Sequence, residues 1–408
     1  MTTTTRRTLL GAVPALALAG ASRPARAATT LHLVYPFYSD ATKPIIEGIV
    51  ADYQKANPGV TISAEEIGWD NLQQVLTTDI SGNTAPDIAV LATRWILDYA
   101  KQNIAEPLDS YITPQYKGEF FETLLGPSTI DGKLWGLPFV ASTRALYCNT
   151  ELLQQAGVAA PPTTWDELRA ACVKIKQAGK AYGFAIQGKE IETDTYWYYS
   201  LWTHGGEIVR DGKSAIASPE GIAATELYRS LIADGLTQPT PTAYNRQDVE
   251  TLFKQGRVAM VATGPWLRGQ LAKEAPKIKY TTSGIPEATQ KATWGGTDSV
   301  VMFASSANKP AAWKFMSEGL VTPASTLELT KREGFLPVTK AAADNPQVKA
   351  ELGAFTALLP YAKFAPQIPN WEQIVDITIS ALQTIYLGRV AVQPALSDAA
   401  KKIDPLLS

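Results

Sequence analysis

Histidine and cysteine are almost missing from this sequence, with two of each among 408 residues. Metal centres and nucleophilic triads draw on clusters of those residues, and His32 and His204 stand far apart in the chain. Neither a zinc or iron site nor a Ser-His-Asp or Cys-His system is therefore expected. His204, beside Gly205-Gly206, is placed to reach a ligand, but a satisfied structural histidine is the plainer reading. Phosphate-cradling loops are lacking too, because Gly264-Pro265-Trp266 and Gly295-Gly296 do not open helices with Walker or Rossmann spacing. No cofactor is expected. Past the N-terminus, no window approaches the roughly 20 uninterrupted apolar residues of a membrane span. Nor is there an excess of positive charge: 37 Lys and Arg face 39 Asp and Glu. Such a balance gives no field to hold a phosphate backbone, which argues against nucleic acid as a partner.

The first segment is distinctive. Thr5-Arg6-Arg7-Thr8-Leu9-Leu10 sets a twin-arginine pair before an apolar run from Leu9 to Ala21, and Ala25-Arg26-Ala27 follows as a small-residue cleavage site. Residues 1–27 thus read as a twin-arginine signal peptide, with the mature chain beginning near Ala28 in the periplasm. No cysteine lies near the cleavage site to carry a lipid anchor. The signal takes four arginines and no acid with it, leaving a mildly acidic mature chain. An oxidising compartment would let Cys148 and Cys172 pair, and only geometry decides between a disulfide and two small buried thiols.

The rest of the chain exceeds what one hydrophobic core serves, so two lobes are expected. Strand Leu31–Tyr35, a helix with Ile45, Ile46, Ile49, Val50 and Tyr53 at helical spacing, and a strand from Val60 open the pattern. A helix over Trp69–Ile80 and a strand over Ile88–Leu91 repeat it. Helices alternating with short apolar strands predict α/β architecture with mostly parallel sheets. A second lobe follows Pro138, with a strand to Asn149, a helix opening at Trp165, a strand over Val258–Ala262 and a strand over Val300–Ala304. The Gly-Gly pair at 295–296 reads as a break, and residues 371–407 as helix interrupted at Gly388.

Aromatic residues are abundant, with ten Trp and sixteen Tyr. Many fall beside turn residues, as in Tyr35-Pro36-Phe37-Tyr38, Gly68-Trp69-Asp70, Arg94-Trp95, Tyr196-Trp197-Tyr198-Tyr199, Gly264-Pro265-Trp266 and Thr293-Trp294-Gly295-Gly296. Loops beyond the carboxyl ends of parallel strands are where open α/β sheets bind ligands. Flat rings suit the C–H face of a sugar while neighbouring polar groups bond its hydroxyls. Core packing is the competing reading for a single ring; for Trp266 and Trp294, set in glycine turns, ligand contact is preferred.

Several segments in order, Pro86-Asp87-Ile88, Asp131-Gly132-Lys133-Leu134-Trp135-Gly136-Leu137-Pro138, Leu146-Tyr147-Cys148-Asn149, Thr164-Trp165-Asp166-Glu167-Leu168, Gly264-Pro265-Trp266 and Gly334-Phe335-Leu336-Pro337, give the chain a family likeness. It resembles the extracellular solute-binding proteins, family 1, of carbohydrate ABC importers, the maltose-binding-like group. Cys148 departs from the pattern, which more often has a second aromatic there. The resemblance implies a two-lobe type II periplasmic binding protein fold, with lobes joined by hinge strands. The lobes would be 28–140 with 296–345, and 141–295 with 346–408, the chain crossing near 138–145, 293–298 and 340–350. It also implies a monomer that traps a mono- or oligosaccharide by closing, delivers it to a membrane permease, and is no enzyme. Facing the cleft would be Phe37, Tyr38, Ser39, Asp40, Trp69, Asp70, Thr93, Arg94, Trp95, Thr143, Arg144, Tyr196, Trp197, Trp266, Trp294, Gly295, Gly296, Thr297, Asp298 and Arg332. Asp87 reads instead as a sheet-end residue, and Trp135 and Trp165 as structural. Arg94, Arg144, Lys331 and Arg332 keep open an anionic sugar derivative or glycerol phosphate, although each could equally sit in a salt bridge. An exported glycoside-active enzyme is the alternative of another class, since close carboxylate pairs are invisible in sequence.

Overall fold

The computed structural model describes residues 1–2, 29–189 and 192–407, so the signal segment lies outside the described residues. The chain opens as β1 (Thr29–Pro36), α1 (Thr42–Ala56), β2 (Val60–Ile67), α2 (Trp69–Ser81) and β3 (Ile88–Ala92). β1 lies between β2 and β3, parallel to both. α1 covers the sheet with Ile45, Ile46, Val50 and Tyr53, the stripe its spacing predicts.

β4 (Leu137–Thr143) and β5 (Ala145–Asn149) are separated only by Arg144. β4 belongs to the first sheet, while β5 joins a second one with β6 (Tyr182–Phe184), β7 (Val258–Thr263) and β8 (Tyr280–Ser283). Between them α3 (Trp165–Ala178) starts in a reciprocal capping box of Thr164 and Glu167 and stops at Gly179, whose φ of 71° suits glycine. The return strand β9 (Thr293–Met302) pairs antiparallel with β4 on one side and β3 on the other. A strand arriving from the other lobe enters against the direction of the β1–β3 set, so the sheets are mixed. At the crossing the Thr293 hydroxyl donates to the Arg144 carbonyl at 2.7 Å and accepts from the Arg144 amide at 3.1 Å. A third passage is helical: Thr339 bridges to Phe120 of the first sheet's layer, and Phe355 packs on Tyr147 of β5 at 5.9 Å.

Two expectations fail locally. The Gly295-Gly296 pair is no break but lies within β9; a Cβ on Gly295 would come within 2.7 Å of the Phe364 ring, so glycine here admits an aromatic against the strand. The Tyr196–Tyr199 run is not a strand-end loop but part of α4 (Thr193–Thr203), whose every residue is buried. A helix buried all round has no polar face and therefore no amphipathic period to read. Further helices are α5 (Arg246–Lys254), α6 (Trp266–Glu274), α7 (Pro323–Glu333), α8 (Trp371–Tyr386) and α9 (Val392–Ile403), the last two parted at Gly388 as expected. Cys148 and Cys172 are free, buried thiols, each pushed up to about 12 by burial. No helix among the described residues is long and apolar enough to cross a membrane.

Candidate functional site

Where the lobes meet, rings form a chain. Trp266 at the start of α6 lies 5.8 Å from Phe335, Phe335 is 4.8 Å from Tyr38, Tyr38 is 5.9 Å from Trp69, and Trp69 is 6.1 Å from Trp95. Gly334, at φ 81°, lets the first-lobe loop press on the second, since a Cβ there would sit 3.1 Å from the Trp266 Cα.

Against the rings lies a partly buried ionic cluster. The Tyr38 hydroxyl donates to Asp298 on β9 at 2.7 Å. Arg144, at the crossing, donates to Ser142 at 2.6 Å and reaches Glu192 at 3.5 Å. Arg246 donates to the other Glu192 oxygen at 2.8 Å and lies 3.4 Å from Glu250, which also accepts from Trp266 Nε1 at 2.8 Å. Both guanidinium carbons sit over the Trp266 ring, at 4.6 and 4.7 Å from its centroid. From the first lobe Arg94 donates Nε to Glu372 of α8 at 2.9 Å and Nη2 to its second oxygen at 3.3 Å, while Trp95 Nε1 adds 3.1 Å. Glu192 holds a left-handed φ of 75° ahead of α4, local strain of the kind that collects at functional sites.

The charges are unequal in their settings. Burial disfavours ionised Glu192, but Arg246 and Arg144 outweigh it and hold the carboxyl below its ordinary range. Burial pushes Asp298 up to about 7, against the Tyr38 hydrogen bond and Arg144. It pushes Asp194 up to about 6, against Arg94. Neither carboxylate oxygen of Asp194, nor Arg144 Nε, nor the Thr193 hydroxyl has a hydrogen-bond partner among the described residues.

Of the residues expected at the cleft, Tyr38, Trp69, Arg94, Trp95, Arg144, Trp266 and Asp298 come together here, and Tyr196 feels Glu250 and Glu192 from the buried side. Others do not. Trp294 stacks on Tyr198 and Trp202 at 5.9 and 5.6 Å in the second lobe's core, because its place in a strand, not a turn, turns it inward. Trp197 is equally core, bonded to Thr225. Thr93 is spent on Ser299 and Thr143 on the Phe355 carbonyl. Gly295 and Gly296 serve strand packing against Phe364 and Ser142, with Thr297 paired to Ala141. Ser39 accepts from the Ala41 amide, and Phe37, Asp40 and Asp70 are exposed outside the cluster. Arg332 is exposed and paired with Glu328. Asp87 does tie the sheet end, accepting from the His32 amide and Ser306, and His204 is satisfied by the Ser200 carbonyl. Sequence reasoning missed Glu192, Asp194, Arg246, Glu250, Phe335 and Glu372. Arg246 and Glu372 read as ordinary helix-start residues; only the two acids flanking Thr193 ahead of an aromatic run offered a signal.

The two-lobe α/β fold thus brings rings and charged groups of both lobes together at its crossing. The model for bacterial extracellular solute-binding proteins matches residues 38–319. The chain is 47% identical over 405 residues to a protein of Brucella abortus (strain 2308) named as a binding protein, covering 98% of this chain and 97% of that one. It is 25% identical over 336 residues to the maltotriose-binding protein of Pyrococcus abyssi, covering 80% of this chain and 71% of that one. A solute-binding protein of an ABC transporter from Thermotoga lettingae, solved with α-D-tagatose, superposes with TM-score 0.85 at 24% identity, over 93% of this chain and 100% of that one. The chain belongs to the bacterial extracellular solute-binding protein family, which binds solutes rather than transforming them and works outside the cytoplasm.

Proposed function

We propose that this protein is the substrate-binding component of an ABC importer that captures a sugar, a mono- or oligosaccharide, between its lobes and hands it to a membrane permease as a monomer. The supporting observation is the meeting of both lobes at one place: Tyr38, Trp69, Arg94 and Asp298 from one side, Arg144, Trp266 and Glu372 from the other. Names of similar proteins, maltotriose-binding in one and tagatose-bound in another, agree with a sugar. A ligand that touches both lobes favours closure by its extra contacts there, so capture and the signal to the permease are one equilibrium. We take 28–140 with 296–345, and 141–295 with 346–408, as the moving lobes, and export as running by the twin-arginine route.

Three arginines in the cleft favour one second reading, an anionic sugar derivative. Thermal-shift screening followed by calorimetry tests both. The panel is glucose, tagatose, maltose, maltotriose, glucuronate, glucose 6-phosphate and glycerol 3-phosphate. One-to-one binding of a panel member without turnover is expected; hydrolysis at enzyme-like rates, or no binding at millimolar concentration, refutes the proposal.

A further inference from the structure

Every guanidinium at the crossing already has a carboxylate. Arg94 is held by both oxygens of Glu372, Arg144 by Glu192, and Arg246 by Glu192 and Glu250. A phosphate or carboxylate brought here would find no unclaimed cation among these three and would have to displace an acid. Acceptors without a partner stand here as well. Asp194 is fully buried in the first turn of α4, and both its oxygens lack hydrogen-bond partners among the described residues, although the Thr195 amide lies near enough to favour its charge. The helix N-terminus accounts for an acid at this position. It does not account for two acceptors without a partner among the described residues, nor for the neighbouring Thr193 hydroxyl, and Arg144 Nε at the crossing is likewise without one among those residues. A buried polar group without a partner costs roughly 1–3 kcal/mol, so such groups are kept where something else satisfies them.

Asp194 also belongs to the crossing. Arg94 of the first lobe and Glu192 act on it, and the same two residues act on Asp298 of β9, which accepts from Tyr38. Acceptors from both lobes therefore share one ionic surrounding.

We propose that Asp194 is the specificity-determining residue of the cleft, taking two adjacent hydroxyls of a neutral sugar on its two carboxylate oxygens and excluding anionic derivatives. This rests on the sugar-binding reading and sharpens it. Vicinal hydroxyls suit a carboxylate because two donors can meet two oxygens at once. Arg144 Nε and the Thr193 hydroxyl stay available for a ring or third hydroxyl oxygen.

Calorimetry on the full mature chain with the same panel decides it. Wild type should bind a neutral sugar, with glucuronate, glucose 6-phosphate and glycerol 3-phosphate at least 10-fold weaker. Asp194→Asn should weaken the best neutral sugar about 10- to 100-fold, the range for hydrogen bonds to a charged acceptor, with its melting temperature unchanged or raised because an unpaired buried charge is removed. Asp194→Ala, checked by near-ultraviolet circular dichroism, guards against a folding artefact. In wild type the affinity should rise from pH 5 to 7.5 as Asp194 ionises among Arg94, Glu372, Glu192 and Tyr198, and that rise should shrink in Asp194→Asn. Unchanged affinity in a folded Asp194→Asn, or a stability loss alone, would make the residue merely structural and overturn the proposal. Preferential binding of glucuronate or glucose 6-phosphate would overturn it while leaving the sugar reading intact, and preferential binding of glycerol 3-phosphate would overturn both. No binding of any member would defeat both.

Discussion

If the lobes close as proposed, the contact between Arg94 and Glu372 sets the balance between open and closed forms, and its removal gives a measurable quantity. Glu372 accepts from Arg94 Nε at 2.9 Å, Arg94 Nη2 at 3.3 Å and Trp95 Nε1 at 3.1 Å, all three donors belonging to the first lobe. The two side chains retain only 12% and 24% of their accessibility. Burial raises the Glu372 carboxyl against the pull of Arg94, so desolvation consumes part of the attraction. A net of about 2 kcal/mol for this group of charged hydrogen bonds is the reasonable figure. Opening frees both partners into water, so Glu372→Ala should lower the closed-to-open ratio about 30-fold. The ligand-free variant should then show a larger radius of gyration in small-angle X-ray scattering, and a sugar that selects the closed form should bind correspondingly more weakly. Arg94→Ala alone should be at least as harmful, because it leaves Glu372 without its counter-charge, and the double variant should recover part of the loss. Superimposable scattering curves and equal affinities for wild type and Glu372→Ala would refute this account of closure.

Asp298 titrates near 7 in the folded chain, against about 3.9 for a free aspartate. The native state thus keeps a proton the unfolded chain releases, so this contribution to stability is full below about pH 4 and fades as pH rises through 7. The melting temperature of wild type should fall from pH 5 to 8 relative to Asp298→Asn, with Tyr38, Arg144, Arg94 and Glu192 the groups that face it; parallel profiles would reject the assignment. Trp294→Ala should cost about 3–5 kcal/mol of stability by emptying a stacked core site, with sugar affinity of the folded fraction unchanged; denaturant melts and calorimetry separate the two, and an affinity loss without destabilisation would return Trp294 to the cleft. Replacing Arg6 and Arg7 together by lysine should retain the protein in the cytoplasm, as fractionation would show, and normal export would exclude the twin-arginine route.

What the sequence disclosed followed physical period. The stripe of α1, the helix start at Trp165 and the Gly388 break each depend on neighbours within a few residues, and each is where the pattern put it. Tyr38, Arg94 and Trp266 were legible in aromatic segments beside turns, and Arg144 only through the family resemblance that puts it at the cleft. Errors arose where burial removed the period. α4 has no polar face, so its tyrosines and tryptophans looked like a surface cluster. Glycines inside β9 looked like a turn because the ring of Phe364, some 70 residues onward, is what requires them. The missed acids share that cause: Glu372 is an unremarked first-turn residue of α8 until the fold brings Arg94 and Trp95 to it.

The ionic partners at the crossing fall into two classes that serve closure differently. Contacts such as Arg94 with Glu372, and Gln367 Nε2 with the carbonyls of Gly126, Pro127 and Thr129 at 2.9–3.3 Å, join the lobes directly and need no ligand. They lower the work of closing for any solute and so cannot select among solutes. On the proposed reading Asp194, whose two oxygens have no partner among the described residues, opposes the ligand-free closed form at neutral pH by the desolvation it leaves unrelieved, and a molecule bringing donors removes that penalty. Selectivity therefore resides in the unsatisfied groups and closure in the satisfied ones, which is why weakening Glu372 should reduce affinity for all sugars alike while changing Asp194 should alter which sugar is preferred.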